Sequence, residues 1–318
     1  MNKKAIVFTF IAIIMVILLT ATFLLNISNR AQRDIQKTTI KIEALSSLVN
    51  SLNNELLQES LRSSSNQVFL AFLNHMDNKT KSKGNGHYKG HFIKGDINKN
   101  FQNAIMDGYY KNDELDYMFM DDLNYTLTNA TRQLAIFLQD NGANFTFNPI
   151  NKDDIRVFQP DPWHINVSFI ITYDLNDSKN EVNWVVKNKP ISILLNVQDY
   201  RDPLSLVSEN QSITINRTDV TIWSLEEFKR HITGHFFIEH TDAPSFLDRL
   251  QGKKDAASVN GIESILDPNF FANSGKRSNV DYEYSDKVHG KCSVDGMLAN
   301  FRLTEDHLNF YQRTGICS

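Results

Sequence analysis

The segment "INVSFIITYDL", Ile165–Leu175, alternates apolar and mostly polar residues, which is the pattern of a half-buried β-strand. Two later segments, "EVNWVVK" (Glu181–Lys187) and "ISILLNV" (Ile191–Val197), repeat this alternation. Short polar turns such as Asn176–Asn180 separate the segments. The sequence therefore predicts three antiparallel strands in a meander that buries one face of the sheet.

Helix signals follow the meander. A capping box at Ser224–Glu227 opens an amphipathic segment that ends before Gly234. Further helices are predicted over Asp242–Gly252 and Thr304–Thr314, each stopped by or just before a glycine. Because strands and helices occur in separate runs, the sequence predicts an α+β body, which we place at residues 98–318.

The segment ahead of this body has the composition of a long helix. The first glycine is Gly84, and no proline precedes it. From Ala31 to Leu56, apolar residues recur at alternating spacings of three and four, which is a helical stripe. These features predict a helical stem at residues 26–76, bent near Leu61–Gln67, and then a polar loop at residues 77–97.

The apolar stripe of the stem has two possible partners. It can pack on the protein's own body, or it can pair with the stem of a second copy as a coiled coil. Leu48 and Leu57 widen the stripe, which suits packing on a domain as well as it suits a two-stranded coil. We expect packing on the protein's own body, with self-association through the stem as the alternative.

The run Ala5–Leu25 contains 21 residues with no charge, proline or glycine. As a helix it would rise about 31 Å, which matches the roughly 30 Å hydrocarbon core of a bilayer. We predict a transmembrane helix at residues 5–25 in contact with membrane lipid, after a cytoplasmic tail at residues 1–4. The run is longer than the apolar region of a cleaved signal, so a removed signal peptide is a lesser alternative.

Two features predict that the large C-terminal domain lies outside the membrane. Nine Asn-x-Ser/Thr sequons occur, more than this composition gives by chance. Eight follow the stem's first residues and are glycosylation candidates: Asn78, Asn124, Asn129, Asn144, Asn166, Asn176, Asn210 and Asn216. The two cysteines, Cys292 and Cys317, lie close together near the C-terminus, and we predict that they form a disulfide.

Composition and motifs exclude some functions. The net charge is −4, and no basic stripe with interleaved aromatic residues is present, so we expect no nucleic-acid partner. The segment "HITGHFFIEH" contains His231, His235 and His240, and histidines at i and i+4 of a helix can share a zinc ion. Gly234 ends the helix between them, so these three stay candidates only. We expect no metal, no cofactor and no recognisable set of catalytic residues.

Several stretches resemble a group of archaeal single-pass surface proteins with a pilin-like layout. They are "QPDPWHINVSF" (Gln159–Phe169), "VQDYRDPLS" (Val197–Ser205), "APSFLDRL" (Ala243–Leu250), "NGIES" (Asn260–Ser264) and "FRLTEDHLNFY" (Phe301–Tyr311). The resemblance implies a surface location and this layout, and it implies no activity. Lys4-Ala5 before the apolar run also looks like the processing site of type IV pilins, although Phe10 stands where many pilins have glutamate.

From these features we expect a membrane-anchored cell-surface protein, single-pass with its C-terminal domain outside, that has a binding or scaffolding role in the cell envelope. One alternative is a pilin-like filament subunit processed after Ala5. A second is an ectoenzyme whose catalytic residues are scattered through the fold. The sequence does not indicate which ligand or partner is bound.

Overall fold

The computed structural model describes Met15 and residues 36–81, 91–140, 143–177, 182–208, 212–253, 258–266, 278–280 and 292–317. These residues belong to two compact units. Unit 1 draws on Met1–Leu56, Ala135–Phe147 and Thr172–Lys187, and unit 2 draws on Leu57–Leu134, Asn148–Ile171 and Asn188–Ser318.

Unit 1 contains helix α1 (residues 36–51), which passes into a π-helical turn at Leu52–Leu56. Lys41 at the side of α1 forms an ion pair with Asp177, with 3.0 Å between Nζ and Oδ2. Tyr173 Oη donates a hydrogen bond of 2.9 Å to Asn53 Oδ1. These polar contacts fix the helix against the strands of the same unit.

The strands that contribute to unit 1 belong to a four-stranded sheet. Its members are β3 (Ala143–Phe147), β4 (Arg156–Asp161), β5 (His164–Asp177) and β6 (Asn183–Asn196). β3 is antiparallel to the C-terminal end of β5, and β4 is antiparallel to its N-terminal end. β6 pairs with β5 as well. Both β5 and β6 contribute residues to each of the two units.

The predicted alternation of the meander is confirmed, but the number of strands is not. Side chains at every second position of β5 are buried, beginning with Ile165. The two segments predicted as separate strands, 181–187 and 191–197, lie largely within the single strand β6. Asn188 has a φ of 50° and so sits in the left-handed region, where asparagine is tolerated better than most residues. A local backbone kink therefore replaces the predicted turn.

Unit 2 begins with helices and a short hairpin. The elements are α2 (Leu57–Lys81), α3 (Ile97–Asp107), β1 (Tyr109–Tyr110), β2 (Asp113–Glu114), a 3-10 segment (Asp116–Asp122) and α4 (Leu127–Asp140), whose last turns belong to unit 1. Asp96 caps α3 by accepting from the backbone N–H of Asn98, at 2.8 Å. Gly108 ends it with a φ of 80°, a conformation that glycine adopts without strain.

The C-terminal part of unit 2 alternates short helices and strands. The elements are α5 (Pro203–Ser208), β7 (Asn216–Arg217), α6 (Leu225–Thr233), β8 (Phe236–Glu239), α7 (Phe246–Gln251), β9 (Ile262–Ser264), β10 (Cys292–Ser293), β11 (Arg302–Leu303) and α8 (Glu305–Phe310). β8 is the central strand of a three-stranded sheet, parallel to β7 and antiparallel to β9. A buried apolar cluster that includes Trp223, Phe228, Ile238, Phe301 and Tyr311 packs these elements together.

Three short helices were predicted here, and all three exist. α6 begins after Ser224, whose Oγ accepts from the backbone N–H of Glu227 at 3.0 Å. α7 begins after Ser245 rather than at Asp242, because the Ser245 hydroxyl provides the cap. α8 ends at Phe310, four residues earlier than predicted.

The structure describes the greater part of the predicted stem. Residues 36–81 are helical throughout, and Leu45, Val49 and Leu52 of the stripe are buried within the chain. The bend predicted at residues 61–67 is wrong, since α2 is continuous there. Ser64 and Ser65 are buried, and the half-buried Asn66 accepts a hydrogen bond of 2.5 Å at Oδ1 from Tyr200 Oη. Packing rather than a bend explains the polar stretch.

The fold prediction requires one correction. The α+β class with antiparallel strand pairs is what the structure has, but among the described residues no helix is both long and apolar enough to cross a membrane. The longest of them, α2, has polar and charged residues on both sides of its apolar run Val68–Leu73. Of the segment predicted to span, residues 5–25, the structure describes only Met15, and Lys4 and Ala5 lie outside the described residues.

The predicted disulfide is present. Cys292 and Cys317 are bonded, with 3.9 Å between their Cα atoms. The C-terminal segment runs beside β10, where the backbone N–H of Ser293 donates to the carbonyl oxygen of Ile316 at 3.0 Å. The bond closes a loop with a sequence separation of 25, and this loop contains α8.

Removing the disulfide is expected to lower the free energy of unfolding by about 3 kcal/mol, because the unfolded chain regains the entropy of an open loop. The Cys292→Ser/Cys317→Ser double variant, compared with the parent by urea unfolding, measures this loss. Reduced and non-reduced parent protein serve as the matched pair. An unchanged midpoint in both comparisons would show that the bond does not constrain the unfolded chain.

Candidate metal centre

Three side chains that can bind a metal meet beside the three-stranded sheet of unit 2. β8 and β9 pair so that Ile238 lies opposite Glu263. His240 follows β8, and its backbone N–H donates to the carbonyl oxygen of Gly261 at 3.0 Å. His307 comes from α8. One nitrogen of each histidine and one carboxylate oxygen of Glu263 all lie within 4.8 Å of one another.

The approach of the two strands depends on Gly261. A Cβ atom at this position would lie 2.1 Å from the carbonyl oxygen of Ala243 and 2.3 Å from that of His240. Both contacts are with backbone atoms, which cannot rotate away. Glycine at position 261 therefore allows the backbone to come close enough for Glu263 to face His240.

His307 is oriented by the cap of its own helix. Thr304 Oγ1 accepts from the backbone N–H of His307 at 3.2 Å, and it lies 2.7 Å from Nδ1 of the same residue. We assign the proton to Nδ1, so that it donates to the second lone pair of the Thr304 hydroxyl. Nε2 then points toward Glu263 Oε2, 3.2 Å away.

His240 faces the same carboxylate oxygen. Its Nδ1 lies 3.3 Å from Glu263 Oε2. The Phe310 ring meets the imidazole edge to face, with 4.4 Å between the ring centroids. The side chains of His240 and His307 are each only 12% exposed, and that of Glu263 is fully buried, so the cluster is nearly closed to solvent.

The two oxygens of Glu263 have different partners. Oε1 accepts a hydrogen bond of 2.5 Å from Tyr311 Oη, and Tyr311 itself is fully buried. Oε2 is the oxygen that both imidazoles approach. Tyr311 thus fixes the rotation of the carboxylate and leaves Oε2 directed at His240 and His307, as outer partners of metal ligands commonly do.

Burial alone would raise the pKa of Glu263, but the hydrogen bond and charge of His307, the charge of His240 and the hydrogen bond from Tyr311 outweigh it and lower the pKa to about 2. Burial likewise disfavours the charged form of His307. The hydrogen bond and charge of Glu263, with the charges of Asp306 and Asp242, raise the pKa of His307 nevertheless. The site is therefore built around an ionised carboxylate.

Two of the three distances between the ligand atoms match those around a metal ion, and the third is within 4.8 Å. Ligand atoms bonded to a tetrahedral zinc at about 2.0–2.1 Å lie roughly 3.3 Å from one another. The two nitrogen-to-oxygen distances, 3.2 Å for His307 and 3.3 Å for His240, agree with this separation. The donor set of two imidazoles and one carboxylate is also one that zinc accepts.

The three histidines predicted from sequence do not form a site together. His240 belongs to the cluster, whereas in the described part of the chain His231 and His235 are not members of it. His231 lies in α6 with its ring against Trp223, with 5.1 Å between the centroids. His235 follows the helix with a φ of 49°. Gly234 ends α6 between them, as the sequence analysis expected.

Sequence reasoning missed Glu263, His307, Thr304 and Tyr311. A separation of 44 residues lies between Glu263 and His307, so no local spacing could connect them. Glu263 does leave one signal, since it is the charged residue of a short apolar strand, "GIESIL". A carboxylate in a buried strand needs a cationic or metal partner. The histidines outside the segment 231–240 were therefore candidates for that partner.

His231 is a second buried histidine with different chemistry. It is fully buried, and neither ring nitrogen has a hydrogen-bond partner among the described residues. Burial lowers the pKa of His231 to about 4, although the charges of Glu263 and Glu227 act in the opposite direction. The imidazole is therefore neutral at ordinary pH.

Lowering the pH should destabilise the fold through His231. Its pKa falls from 6.5 in the unfolded chain to about 4 in the folded one, so protons bind the unfolded chain more tightly. The stability that His231 contributes is complete above 6.5 and is lost as the pH falls toward 4, by about 3 kcal/mol. Urea unfolding of metal-free protein across this range measures the loss.

The matched control is His231→Phe, which keeps an aromatic ring in the same apolar environment. The difference in stability between parent and variant should change with pH by about 3 kcal/mol, while other titrating groups cancel. Parallel pH profiles for the two proteins would contradict a neutral buried His231.

The structure also describes most of the predicted glycosylation candidates. Asn124, Asn144 and Asn216 are exposed, and Asn129, Asn166 and Asn176 are half-buried. The side chain of Asn78 and the whole of Asn210 lie outside the described part.

His240, Glu263 and His307 thus form the group of potential metal ligands found in the described part of the chain. Its ligand atoms come from the residue after β8, from β9 and from α8, and its orientation depends on Gly261, Thr304 and Tyr311. No family model, curated protein or solved structure matches this chain, so the chemistry of the site is inferred from its own residues.

Proposed function

We propose that this chain is an exported binding or scaffolding protein whose C-terminal segment is held in place by a divalent transition metal bound to His240, Glu263 and His307. Zinc is the metal that this ligand set suits best. The observation that carries the proposal is the convergence of two imidazole nitrogens on one buried carboxylate oxygen, at 3.2 and 3.3 Å.

A bound metal explains why both imidazoles approach Glu263 Oε2 better than hydrogen bonds from the imidazoles do. Without a metal, Nε2 of His307 could donate to Glu263 Oε2 only with a second proton on the ring, beside the one assigned to Nδ1, and the ring would then be charged in a buried site. Nδ1 of His240 lies 3.3 Å from the same oxygen but makes no hydrogen bond within the described residues. A zinc ion needs neutral imidazoles and one carboxylate, and it supplies the positive charge at a single point.

The burial of the site supports a structural role for the metal. Three protein ligands leave the fourth tetrahedral position of zinc to water, as in catalytic sites, but catalysis also requires that a substrate can reach that position. Here the carboxylate is fully buried and both imidazoles are nearly so. A cleft of about 260 Å³ is lined by Ile238 and Phe310, but none of the three ligand residues lines it. These observations favour scaffolding over the ectoenzyme alternative.

The metal and the disulfide would act on the same segment. α8, which carries His307, lies between Cys292 and Cys317 in sequence. The disulfide ties the end of the chain to β10, and the metal ties α8 to β8 and β9. A disulfide is stable in oxidising compartments outside the cytosol, which supports export of this domain.

Metal content tests the proposal. Purified protein is stripped with a chelator, dialysed against a low concentration of zinc chloride and assayed by plasma mass spectrometry. We expect one zinc ion per chain in the parent protein. The variants His240→Ala and His307→Ala should each lack this ion.

His164→Ala is the matched control, because His164 is a surface histidine paired with a carboxylate, Asp161, at 2.9 Å. It should retain the zinc. A parent that binds no zinc, or that loses its zinc only in the His164 variant, would contradict the proposal.

A further inference from the structure

A second site, unrelated to the metal, lies just before α4. The sequon Asn124-Tyr125-Thr126 links the 3-10 segment to this helix. Asn124 is exposed, whereas Thr126 is buried. The sequon therefore presents its asparagine to solvent while its threonine anchors the turn.

The amide of Asn124 is held in one orientation. Its Oδ1 accepts from the Thr126 hydroxyl at 2.6 Å and from the Thr126 backbone N–H at 2.9 Å. The backbone N–H can only donate, so the amide atom facing it must be the oxygen. Nδ2 is then the atom of the carboxamide turned away from the Thr126 contacts.

In the neighbouring sequon, the amide nitrogen of Asn129 is engaged in a hydrogen bond. Its Nδ2 donates to the carbonyl oxygen of Asn124 at 2.7 Å, and its Oδ1 accepts from Arg132 at 2.7 Å. Asn129 is also half-buried. A sugar on Nδ2 would replace one of its two hydrogens and add bulk at the atom that contacts the Asn124 carbonyl, in the turn that precedes α4.

A shallow polar cleft lies beside Asn124. Its volume is about 270 Å³, and Asp107, Thr128 and Arg132 line it with Asn124 and Asn129, so the cleft adjoins both sequons and the choice between them depends on the hydrogen bonds of each amide. A sugar ring presents hydroxyl groups that can donate to a carboxylate and accept from a guanidinium. The cleft thus offers polar partners for the first sugar of a glycan.

We propose that Asn124 carries an N-linked glycan and that Asn129 does not. The donor class is a saccharide linked through phosphate to a polyprenyl lipid. Asn124 Nδ2 forms a bond to C1 of the first sugar and loses one proton, while the bond from C1 to the phosphate oxygen breaks and the lipid phosphate leaves with the electron pair. The inference needs export of this domain but does not depend on the metal site.

Peptide mapping of the folded, secreted full chain tests this. The protein is produced in a eukaryotic secretory host, purified, treated with N-glycosidase in heavy-oxygen water and digested. Former glycan sites then appear as aspartate with a heavy oxygen. We expect this label on Asn124 in most chains and on Asn129 in few or none.

Two variants complete the design. Asn124→Asp keeps an oxygen that can accept from Thr126, so the turn is retained while the amide is lost, and the glycan should disappear. Asn129→Gln should leave labelling at Asn124 unchanged. Equal labelling of both asparagines, labelling of Asn129 alone, or an unlabelled Asn124 in the parent would each overturn the proposal.

Discussion

Replacing Arg249 by methionine is expected to lower the free energy of unfolding by about 3–5 kcal/mol, the cost of leaving one member of a buried ion pair unpaired. Arg249 is fully buried, and its guanidinium lies 3.1 Å from Asp202 Oδ1. It also donates to the carbonyl oxygens of Pro244 and Ile262. Methionine fills similar volume, so the loss reports mainly the stranded carboxylate and carbonyls.

The matched control is the double variant Arg249→Met/Asp202→Asn. Asp202 Oδ2 caps α5 by accepting from the backbone N–H of Ser205 at 2.9 Å, and an asparagine oxygen can keep this bond. Because the buried charge is removed, the double variant should recover at least about 1 kcal/mol. Urea unfolding near neutral pH is the measurement. A double variant that is less stable than the single one would contradict this explanation.

Zinc is expected to stabilise the metal-free protein by about 4 kcal/mol when its free concentration is roughly a thousand times the dissociation constant. The gain arises because the folded chain brings together the end of β8, the strand β9 and the helix α8, which are far apart in the unfolded chain. Urea unfolding in the presence of chelator and in the presence of zinc gives the difference in the free energy of unfolding between the metal-free and the zinc-bound protein.

Three variants make this comparison specific. His307→Ala and Glu263→Gln should abolish the gain, since each removes a ligand, while His164→Ala should keep it. Equal stabilisation of the parent and all three variants by zinc would show that the ion binds elsewhere on the protein, and it would contradict the proposed site.

The sequence predicted the parts of the fold that depend on local patterns. Alternation in β5 identified which side chains are buried, because successive side chains of a strand point to opposite faces. The cap at Ser224 located α6 to within a residue, because a side-chain cap is a local interaction. The disulfide was predicted from two cysteines near one end of the chain.

The parts that failed depend on tertiary packing. The polar stretch of α2 looked like a bend, but Ser64 and Ser65 are buried in a continuous helix and Asn66 is hydrogen-bonded to Tyr200. The strand β6 continues through Asn188, whose backbone adopts a left-handed conformation. Neither outcome has a local sequence signal.

The candidate metal centre was largely invisible for the same reason. Of the histidines singled out from spacing, only His240 belongs to it. Glu263 and His307 come from distant segments and meet only because β9 pairs with β8 and α8 packs on the same core. A helical spacing of histidines predicts a site on one element, whereas this site is assembled from three.

The most direct test is the position of the ion itself. Crystals of the protein grown with zinc, measured on both sides of the zinc absorption edge, give an anomalous difference map. We predict one strong peak at about 2.0–2.2 Å from Nδ1 of His240, Oε2 of Glu263 and Nε2 of His307. A map with no peak there, or with zinc only at surface residues such as His164 and Asp161, would contradict the metal centre.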